Sequence, residues 1–208
     1  VGIDREGHPV GNCIVWCDIR STPQAQRMEA VSRERGIPLQ NPATSAYTGP
    51  KLLWIKEYDR ESYAKIRVFL YCKDYLRFRL SGELGTDVSD ASGSLLYNFS
   101  TGQWDWDLIQ ALELGESLFP GIAESGARAG QVTKAASEAT GIPQSATVAV
   151  GAGDLACSLL GNGIAQQGNV LINLGTAGQI MTVCEPDASL PDGVHRFQLP
   201  NRSSSFTL

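Results

Sequence analysis

The sequence predicts an α/β protein built on two sheets. Apolar, strand-like runs alternate with helical segments from residue 68 onward, and this alternation is typical of α/β folds. A strand, a glycine turn and a second strand at residues 169–184 then begin a new sheet. The length of 208 residues allows one large domain, or one domain and part of another. We therefore expect a break within residues 145–168, with domains at 1–146 and 147–208.

The first elements are a hairpin and a helix. Residues 1–4 and 10–16 are strand-like and flank a polar turn, which predicts a hairpin. The Ser-Thr-Pro sequence at residues 21–23 combines capping side chains with a proline suited to the first helical position. Gly36 ends the helix that we expect to run to about residue 35.

The middle of the chain begins with a loop at residues 38–50, which is rich in proline, serine and threonine. A helix is expected over 50–57. The apolar run at 68–72 predicts a buried strand, and a helix follows over 73–80. Small polar residues at 85–93 predict another loop.

Shorter elements follow in the last part of the chain. Residues 95–99 are expected to be extended, and helices are expected over 107–114 and 133–140. An apolar strand over 147–150 leads through a glycine turn into a helix over 155–160. The alternation of strand and helix therefore continues up to the second sheet.

Charge and composition exclude several classes of protein. The net charge is −5 and no basic run is present, so we expect no nucleic-acid partner. No apolar stretch reaches the roughly 20 residues that span a bilayer, so we expect no membrane partner. Five scattered cysteines without a Cys-x-x-Cys pair indicate reduced thiols and a cytoplasmic protein. The chain begins at Val1 within a hairpin and ends in a strand-like run, so we expect a piece of a longer protein.

Asp154 is the candidate general base. It follows Gly151, Ala152 and Gly153 directly after the predicted strand 147–150. Ligands of open α/β sheets bind outside the carboxyl ends of strands, and glycines let the backbone turn sharply there. The structural alternative is that Asp154 caps the following helix, and both roles can coexist.

Gly175, Thr176, Ala177 and Gly178 form a turn between two predicted strands. Glycine-rich turns let backbone N–H groups approach an anion, so this turn is a candidate binding site for part of a nucleotide. Hairpins also use such glycines for purely structural reasons, and this alternative stays open.

Trp16, Asp18 and Arg20 lie where a predicted strand meets the following helix. An aromatic face covers apolar C–H groups of a sugar, while a carboxylate and a guanidinium bind hydroxyl groups. The structural alternative is that these residues stabilise the fold, as a buried tryptophan beside an Asp–Arg ion pair.

The remaining polar groups favour structural roles. His8 and His195 lie far from any cysteine or paired carboxylate, so we expect surface histidines and no metal site. Asp87 and Asp90 lie among serine and glycine residues, where turn formation is favoured over binding of a cation or hydroxyl groups.

Taken together, short motifs along nearly the whole chain resemble the FGGY family of carbohydrate kinases. Within the family they are most similar to members that phosphorylate D-xylulose. The order and spacing of the motifs carry the resemblance. They lie at residues 14–20, 47–54, 75–82, 86–93, 124–126, 151–154 and 174–178.

The resemblance implies a ribonuclease H-like, actin-like ATPase fold, comprising most of the first domain and the start of the second. It implies a sugar or polyol as the small-molecule partner, bound mainly by the first domain, and ATP with Mg²⁺, bound mainly by the second. Asp154 would be the general base and would also contact the substrate, in line with its predicted position. Trp16 and Tyr47 match aromatic positions of the polyol site, and Asp18 and Arg20 are neighbours of that site. A homodimer is left open.

The resemblance assigns Gly175–Gly178 to a phosphate-binding loop, in which Ala177 replaces the usual serine. Leu155 stands where several members have Asn or Gln, which bears on the choice of sugar. The first phosphate loop and the adenosine site are expected outside the chain, so we expect no turnover by these 208 residues alone. Two functions stay open: a carbohydrate kinase, and a non-catalytic module that senses a sugar or a nucleotide. Nothing in the sequence favours a third possibility, a structural actin-like protein.

Overall fold

The computed structural model describes residues 1–174, 178–185, 188–200 and 204–208, and it has the mixed helix and strand content that the sequence predicts. The helices are α1 (Thr22–Arg35), α2 (Thr48–Tyr58), α3 (Arg60–Lys65), α4 (Cys72–Ser81), α5 (Val88–Ser92), α6 (Trp106–Ala111), α7 (Lys134–Thr140) and α8 (Asp154–Gly161). The strands are β1 (Gly2–Ile3), β2 (Pro9–Val10), β3 (Val68–Phe69), β4 (Thr86–Asp87), β5 (Tyr97–Asn98), β6 (Gln103–Trp104), β7 (Ile122–Ala123), β8 (Arg128–Gln131), β9 (Thr147–Ala149), β10 (Val170–Leu174), β11 (Gly178–Cys184), β12 (Arg196–Gln198) and β13 (Ser205–Thr207). A 3₁₀ turn covers Glu116–Leu118.

Several helices end where a glycine adopts the left-handed conformation. Gly36 ends α1 with φ of 67°, and Gly82 ends α4 with φ of 78°. At these ends the glycine N–H bonds back to the last turn, to Ser32 and Phe78 respectively. Because glycine lacks a Cβ, it adopts this conformation without steric cost. The predicted ends of these two helices are thereby confirmed.

The strands pair in separate sheets. The sheet β2-β1-β3 and the sheet β10-β11-β13-β12 are antiparallel, as are the pairs β5-β6 and β8-β9. The pair β4-β7 is parallel. The predicted hairpin at the start and the predicted strand–turn–strand unit near residue 175 are confirmed by β1-β2 and β10-β11. The pair β8-β9 crosses the predicted boundary after residue 146, and the division into domains stays a prediction.

Separate apolar cores lie beneath these elements. The largest packs α1, α2 and α6 against β3, β5 and β6, with Met28, Leu53 and Ile109 fully buried. A second core packs α8 onto the later sheet through Leu159 and Met181. A third lies under the first sheet. No helix in the described part of the chain has the length and apolar character needed to cross a bilayer.

Strand β12 joins the later sheet to the rest of the molecule. The Asn41 side chain bonds to both backbone groups of Arg196, at 2.8 and 2.6 Å. The Gln198 N–H donates to the Ser92 hydroxyl at 2.9 Å, and the ring of Phe197 packs into the largest core. These contacts link residues more than 100 positions apart in the chain.

Some sequence predictions were wrong in detail. The strand predicted to reach residue 16 ends at Val10, because the next residue, Gly11, turns with φ of 67° and residues 12–16 form an irregular loop. The predicted loop 85–93 contains β4 and the short helix α5, because Asp87 caps that helix. Helix α2 begins at Thr48, before Pro50, and α3 was not predicted.

Candidate functional site

A cavity of about 600 Å³ opens between the first sheet, the starts of α2 and α4, and the turn before α8. This volume is within the range of small-molecule sites. Its lining includes Trp16, Lys73, Asp90 and Asp154, with Phe197 from the later sheet. The cavity therefore brings together residues from both ends of the chain.

Asp154 is the first residue of α8 and its side chain is exposed at this cavity. The capping position belongs to Gly153, so the structural alternative for Asp154 holds only in part. One carboxylate oxygen accepts the N–H of Leu155 at 2.8 Å. Within the described part of the chain, the strand before the turn, β9, pairs only with β8, antiparallel, whereas the sequence argument assumed an open α/β sheet at this position. The carboxylate nevertheless faces the cavity, as expected.

The turn before Asp154 is held by hydrogen bonds on both sides. The Arg77 guanidinium donates to the Val150 carbonyl at 3.0 Å, and Gly151 N–H donates to the Ser125 carbonyl at 2.9 Å. Gly153 N–H donates to the Ser89 hydroxyl at 2.8 Å. These bonds fix the position from which α8 starts.

Both glycines of the turn are required by their surroundings. Gly151 has φ of 83°, which strains any residue with a Cβ. A Cβ on Gly153 would lie 2.9 Å from a carboxylate oxygen of Asp90, closer than such atoms pack. The two glycines of the Gly-Ala-Gly-Asp sequence are therefore explained by the backbone path and by close packing.

Buried charges lie under this turn, where α4 and α5 begin. The Lys73 ammonium lies 2.6 Å from a carboxylate oxygen of Asp74, 3.0 Å from one of Asp87 and 3.2 Å from one of Asp90. Asp74 also pairs with Arg77 at 3.1 Å. We call these five residues the Lys73 cluster.

The carboxylates of the Lys73 cluster differ in their protonation. Burial raises the pKa of Asp90 to about 7, the Lys73 ammonium opposes this rise, and the nearby carboxylates of Asp87 and Asp74 add to it. Burial would also raise the pKa of Asp87, but Lys73 and the hydroxyls of Ser125 and Ser89 hold it below its usual value.

Asp87 connects this cluster to the turn before Asp154. Its carboxylate accepts the hydroxyls of Ser89 at 2.5 Å and Ser125 at 2.6 Å. Ser89 in turn accepts the N–H of Gly153, and the Ser125 carbonyl accepts that of Gly151. The expected turn chemistry of Asp87 is confirmed, since it also caps α5, but its carboxylate does more than form a local turn.

Trp16 lines the same cavity as Asp154 from the irregular loop at residues 12–16. Its side chain is 74% exposed, so its ring is free to contact a ligand. Asp18 and Arg20 form a forked ion pair with each other, and Arg20 stacks over Trp54 at 4.8 Å. The hydrogen bond from Arg20 lowers the pKa of Asp18. Neither member of this pair lines the cavity.

Tyr47 does not line the cavity either, although its neighbours Ala46 and Thr48 do, and only 5% of it is exposed. Its hydroxyl bonds to Nδ1 of His195, and its ring packs on those of His195 and Phe197. The expectation that both histidines lie at the surface was wrong for His195, which is half-buried against Tyr47, and right for His8. The structure brings together Trp16 and Asp154 but not the other predicted sugar contacts.

Comparison with known proteins places this arrangement in a family. The sequence model of the N-terminal domain of the FGGY family of carbohydrate kinases matches residues 1–161. The chain belongs to the FGGY family. It is 32% identical over 208 residues to a xylulose kinase of Bacillus subtilis, covering 99% of the chain and 42% of that protein. It is 30% identical over 203 residues to a xylulose kinase of Escherichia coli, covering 96% and 42%.

Solved structures resemble this FGGY chain along its whole length. A xyloylose kinase from Brucella ovis superposes with a TM-score of 0.87 at 30% identity, over 99% of the chain and 43% of that structure. A xylulose kinase from Rhodospirillum rubrum gives a TM-score of 0.90 at 24% identity, over 100% and 43%, and shows the fold alone. The predicted actin-like fold class is confirmed. The chain spans about two fifths of the length of these relatives.

The phosphate-loop prediction for this FGGY chain falls mostly outside the described residues. Gly175, Thr176 and Ala177 are among the residues that the structure does not describe, and Gly178 begins β11 with its backbone exposed. Their assignment to ATP stays a prediction.

Sequence reasoning missed the Lys73 cluster as a unit. Lys73 and Asp74 directly follow the run that contains β3, and the strand end was a signal that could have marked them. The contact of Lys73 with Asp87 and Asp90 depends on the packing of α4 against α5, which no local pattern contains.

Proposed function

We propose that the full-length protein transfers the γ-phosphoryl group of ATP to a hydroxyl group of a sugar or polyol, with D-xylulose as the first candidate and D-xylulose 5-phosphate as its product. The observation that carries this proposal is the Asp154 carboxylate, exposed at a cavity that Trp16 also lines. Membership of the FGGY family supports the reaction class, and the xylulose kinases among the relatives support the sugar.

In this proposal Asp154 is the general base. Its carboxylate accepts the proton of the attacking sugar hydroxyl while that oxygen forms a bond to the γ-phosphorus of ATP. The bond from the γ-phosphorus to the bridging oxygen breaks, and ADP leaves. Such a transfer depends on positioning and on charge stabilisation, so a base on a fixed turn is suited to it.

The support for the other proposed sugar contacts differs from residue to residue. Trp16 would cover an apolar face of the sugar, since its exposed ring lines the cavity. Asp18, Arg20 and Tyr47 are not among the residues that line the cavity, so their role as substrate contacts rests on the family resemblance alone. The apolar Leu155 also lines the cavity, which bears on which sugar is preferred.

ATP would bind at Gly175–Gly178 and at parts of the protein beyond this chain. Among the described residues, no group of three His, Cys, Asp or Glu side chains is arranged to hold a metal ion. The carboxylates beside the cavity converge on the Lys73 ammonium, which occupies the place a cation would take. We therefore assign no Mg²⁺ ligand among the residues that the structure describes, and we expect Mg²⁺ to enter with the ATP phosphates.

A cytoplasmic location accompanies this proposal. The five cysteines are free thiols, which is usual for proteins of a reducing compartment. A homodimer stays open, and the size of the full-length protein in solution would decide it.

The proposed reaction is tested by ADP release from the full-length protein with ATP and Mg²⁺. The panel contains D-xylulose, ribulose, glycerol and erythritol, each against a blank without sugar. We expect turnover with D-xylulose above the others. Sugar binding without turnover on any member would instead support the non-catalytic sensor.

Asp154→Asn tests the role of the base. The amide cannot accept the hydroxyl proton but keeps the size of the side chain, so kcat should fall by about 10²-fold or more. Sugar affinity measured by calorimetry should change by less than about threefold, because the amide still hydrogen-bonds. Asp107→Asn is the matched control, since Asp107 is an exposed acid in the first turn of α6 and does not line the cavity. Turnover of Asp154→Asn at the control's rate would refute the assignment.

A further inference from the structure

Two cysteine thiols meet at the edge of the cavity. The sulfurs of Cys13 and Cys72 lie 3.7 Å apart although the residues are 59 positions apart in sequence. Both side chains are exposed, and both line the cavity that contains Asp154 and Trp16. A disulfide bond is about 2.05 Å long, so bond formation needs an approach of about 1.7 Å.

The two thiols belong to segments of different rigidity. Cys72 is the first residue of α4, whose next residues are fixed by the buried contacts of Lys73 and Asp74. Cys13 lies in the loop that follows Gly11 and carries no helix or strand at residues 12–16. The approach therefore requires a shift of the loop rather than of the helix.

The other cysteines lack this arrangement. Cys17 lies in the same loop and is exposed, and Cys157 is exposed on α8. Within the described part of the chain, Cys13 and Cys72 are the pair whose sulfurs are in contact. The remaining cysteines thus serve as internal controls for thiol reactivity.

We propose that Cys13 and Cys72 form an oxidation-sensitive dithiol, a modification site at which peroxide closes a disulfide bond along the cavity and weakens sugar binding. The effect on sugar binding rests on the proposed function, whereas formation of the disulfide bond does not. Because cytoplasmic thiols are kept reduced, the bond would form only under oxidising conditions.

The chemistry balances with hydrogen peroxide as the two-electron oxidant. Either thiol can react first with the same products, and in one order Cys13 attacks the peroxide and Cys72 completes the disulfide. The Cys13 thiolate forms a sulfur–oxygen bond as the peroxide O–O bond breaks, giving a sulfenic acid and hydroxide. The Cys72 thiolate then attacks that sulfur, the S–S bond forms and hydroxide leaves. Two thiols and one peroxide thus give one disulfide and two waters.

Closure of this bond changes the sugar side of the cavity. Trp16 lies three residues after Cys13 in the same loop, so a pull of about 1.7 Å on Cys13 displaces the ring that we assign to the sugar. Displacements of about 1 Å at a binding group carry large losses in binding or rate. We expect the oxidised protein to bind sugar about tenfold more weakly.

The test uses the full-length protein treated with hydrogen peroxide, blocked with N-ethylmaleimide, digested and analysed by mass spectrometry. We expect a cross-linked pair of peptides containing Cys13 and Cys72 in the wild type and in Cys17→Ser. Cys13→Ser and Cys72→Ser should lack it, and dithiothreitol should reverse it. Recovery of Cys13 and Cys72 as separate alkylated residues, to the same extent as Cys157, would overturn the proposal.

Calorimetry with D-xylulose on the reduced and oxidised protein tests the second part. We expect oxidation to lower the affinity for D-xylulose about tenfold and dithiothreitol to restore it. Cys13→Ser should show no such change on oxidation. Equal affinity of the reduced and cross-linked forms would overturn the effect on sugar. Absence of binding by the reduced protein to every sugar of the panel would count against the proposed function, while the cross-linked peptides still decide the dithiol.

Discussion

The carboxyl group of Asp90 faces one ammonium ion and two other carboxylates. With Asp90 protonated, the cations Lys73 and Arg77 balance the anions Asp74 and Asp87, so the Lys73 cluster is neutral. Ionised Asp90 adds an uncompensated charge in a largely buried place. This accounts for its pKa of about 7.

This pKa predicts how stability depends on pH. Between the ordinary value of 3.8 and about 7, folded Asp90 holds a proton that the unfolded chain has released. The free energy of unfolding contributed by Asp90 therefore decreases as pH rises through that window. Asp90→Asn mimics the protonated carboxyl and does not titrate, so its stability relative to the wild type should increase between pH 5 and pH 8.

Urea unfolding at both pH values measures this difference. Glu6→Gln serves as the control because Glu6 is exposed and lies outside the cluster. A difference between Asp90→Asn and wild type that is the same at pH 5 and pH 8 would contradict the assigned pKa.

At the scale of elements, α5 determines where α8 begins. Asp87 caps α5 and binds the hydroxyl of Ser89, which accepts the N–H of Gly153 immediately before Asp154. Two hydrogen bonds and the beginning of α8 thus connect the buried Asp87 carboxylate to the candidate base, Asp154. Small changes in α5 should therefore change the position of Asp154.

Ser89→Ala tests this path without removing a charge. The substitution leaves the N–H of Gly153 without its acceptor, so kcat should fall by about tenfold while sugar affinity stays close to wild type. Ser94→Ala is the matched control, because Ser94 is also buried and its hydroxyl bonds to neighbouring backbone, at Ala91 and Leu96. Both variants should lose about 1 kcal/mol of stability. An equal effect on kcat in both would indicate a general loss of stability instead of lost positioning.

Asp87→Asn should have a larger effect on the same elements. Asp87 is fully buried and pairs with Lys73, so its loss leaves a partly buried cation with fewer partners. The expected cost is about 3–5 kcal/mol of unfolding free energy, measured by urea unfolding. A cost below about 1 kcal/mol would show that Asp87 is not the anchor of the turn.

The same elements show how far sequence reasoning reaches. The ends of α1 and α4 were predictable because Gly36 and Gly82 are local signals. Asp154 and Trp16 were predictable as cavity residues, since glycines mark the turn and the aromatic ring lies near a family motif. Helix α5 was not predictable from the sequence, because its five residues are stabilised by a cap and by distant contacts.

At the scale of the whole molecule, contacts between Tyr47 and the later sheet join distant parts of the chain. Tyr47 and His195 are 148 positions apart, and their hydrogen bond lies beside the packing of Phe197 on the largest core. No local pattern pairs these residues, which is why His195 was expected at the surface, whereas the expectation for Tyr47 at the sugar came from the family resemblance and stays a prediction. Their contact instead joins the start of α2 to the beginning of β12.

This contact predicts a second dependence on pH, opposite in direction to that of Asp90. Burial lowers the pKa of His195, so below about pH 6.5 the unfolded chain binds a proton that the folded protein does not. The stability contributed at this site is therefore lost as pH falls below that value. The side chain of His195→Asn does not titrate, so this variant should not lose stability in this way. The amount by which its free energy of unfolding lies below that of wild type should therefore be smaller at pH 5 than at pH 7.5. His8→Asn, at an exposed histidine far from this contact, is the control substitution. Urea unfolding of the three proteins measures this, and a deficit of His195→Asn that grows at pH 5 would show that His195 is held in its charged form.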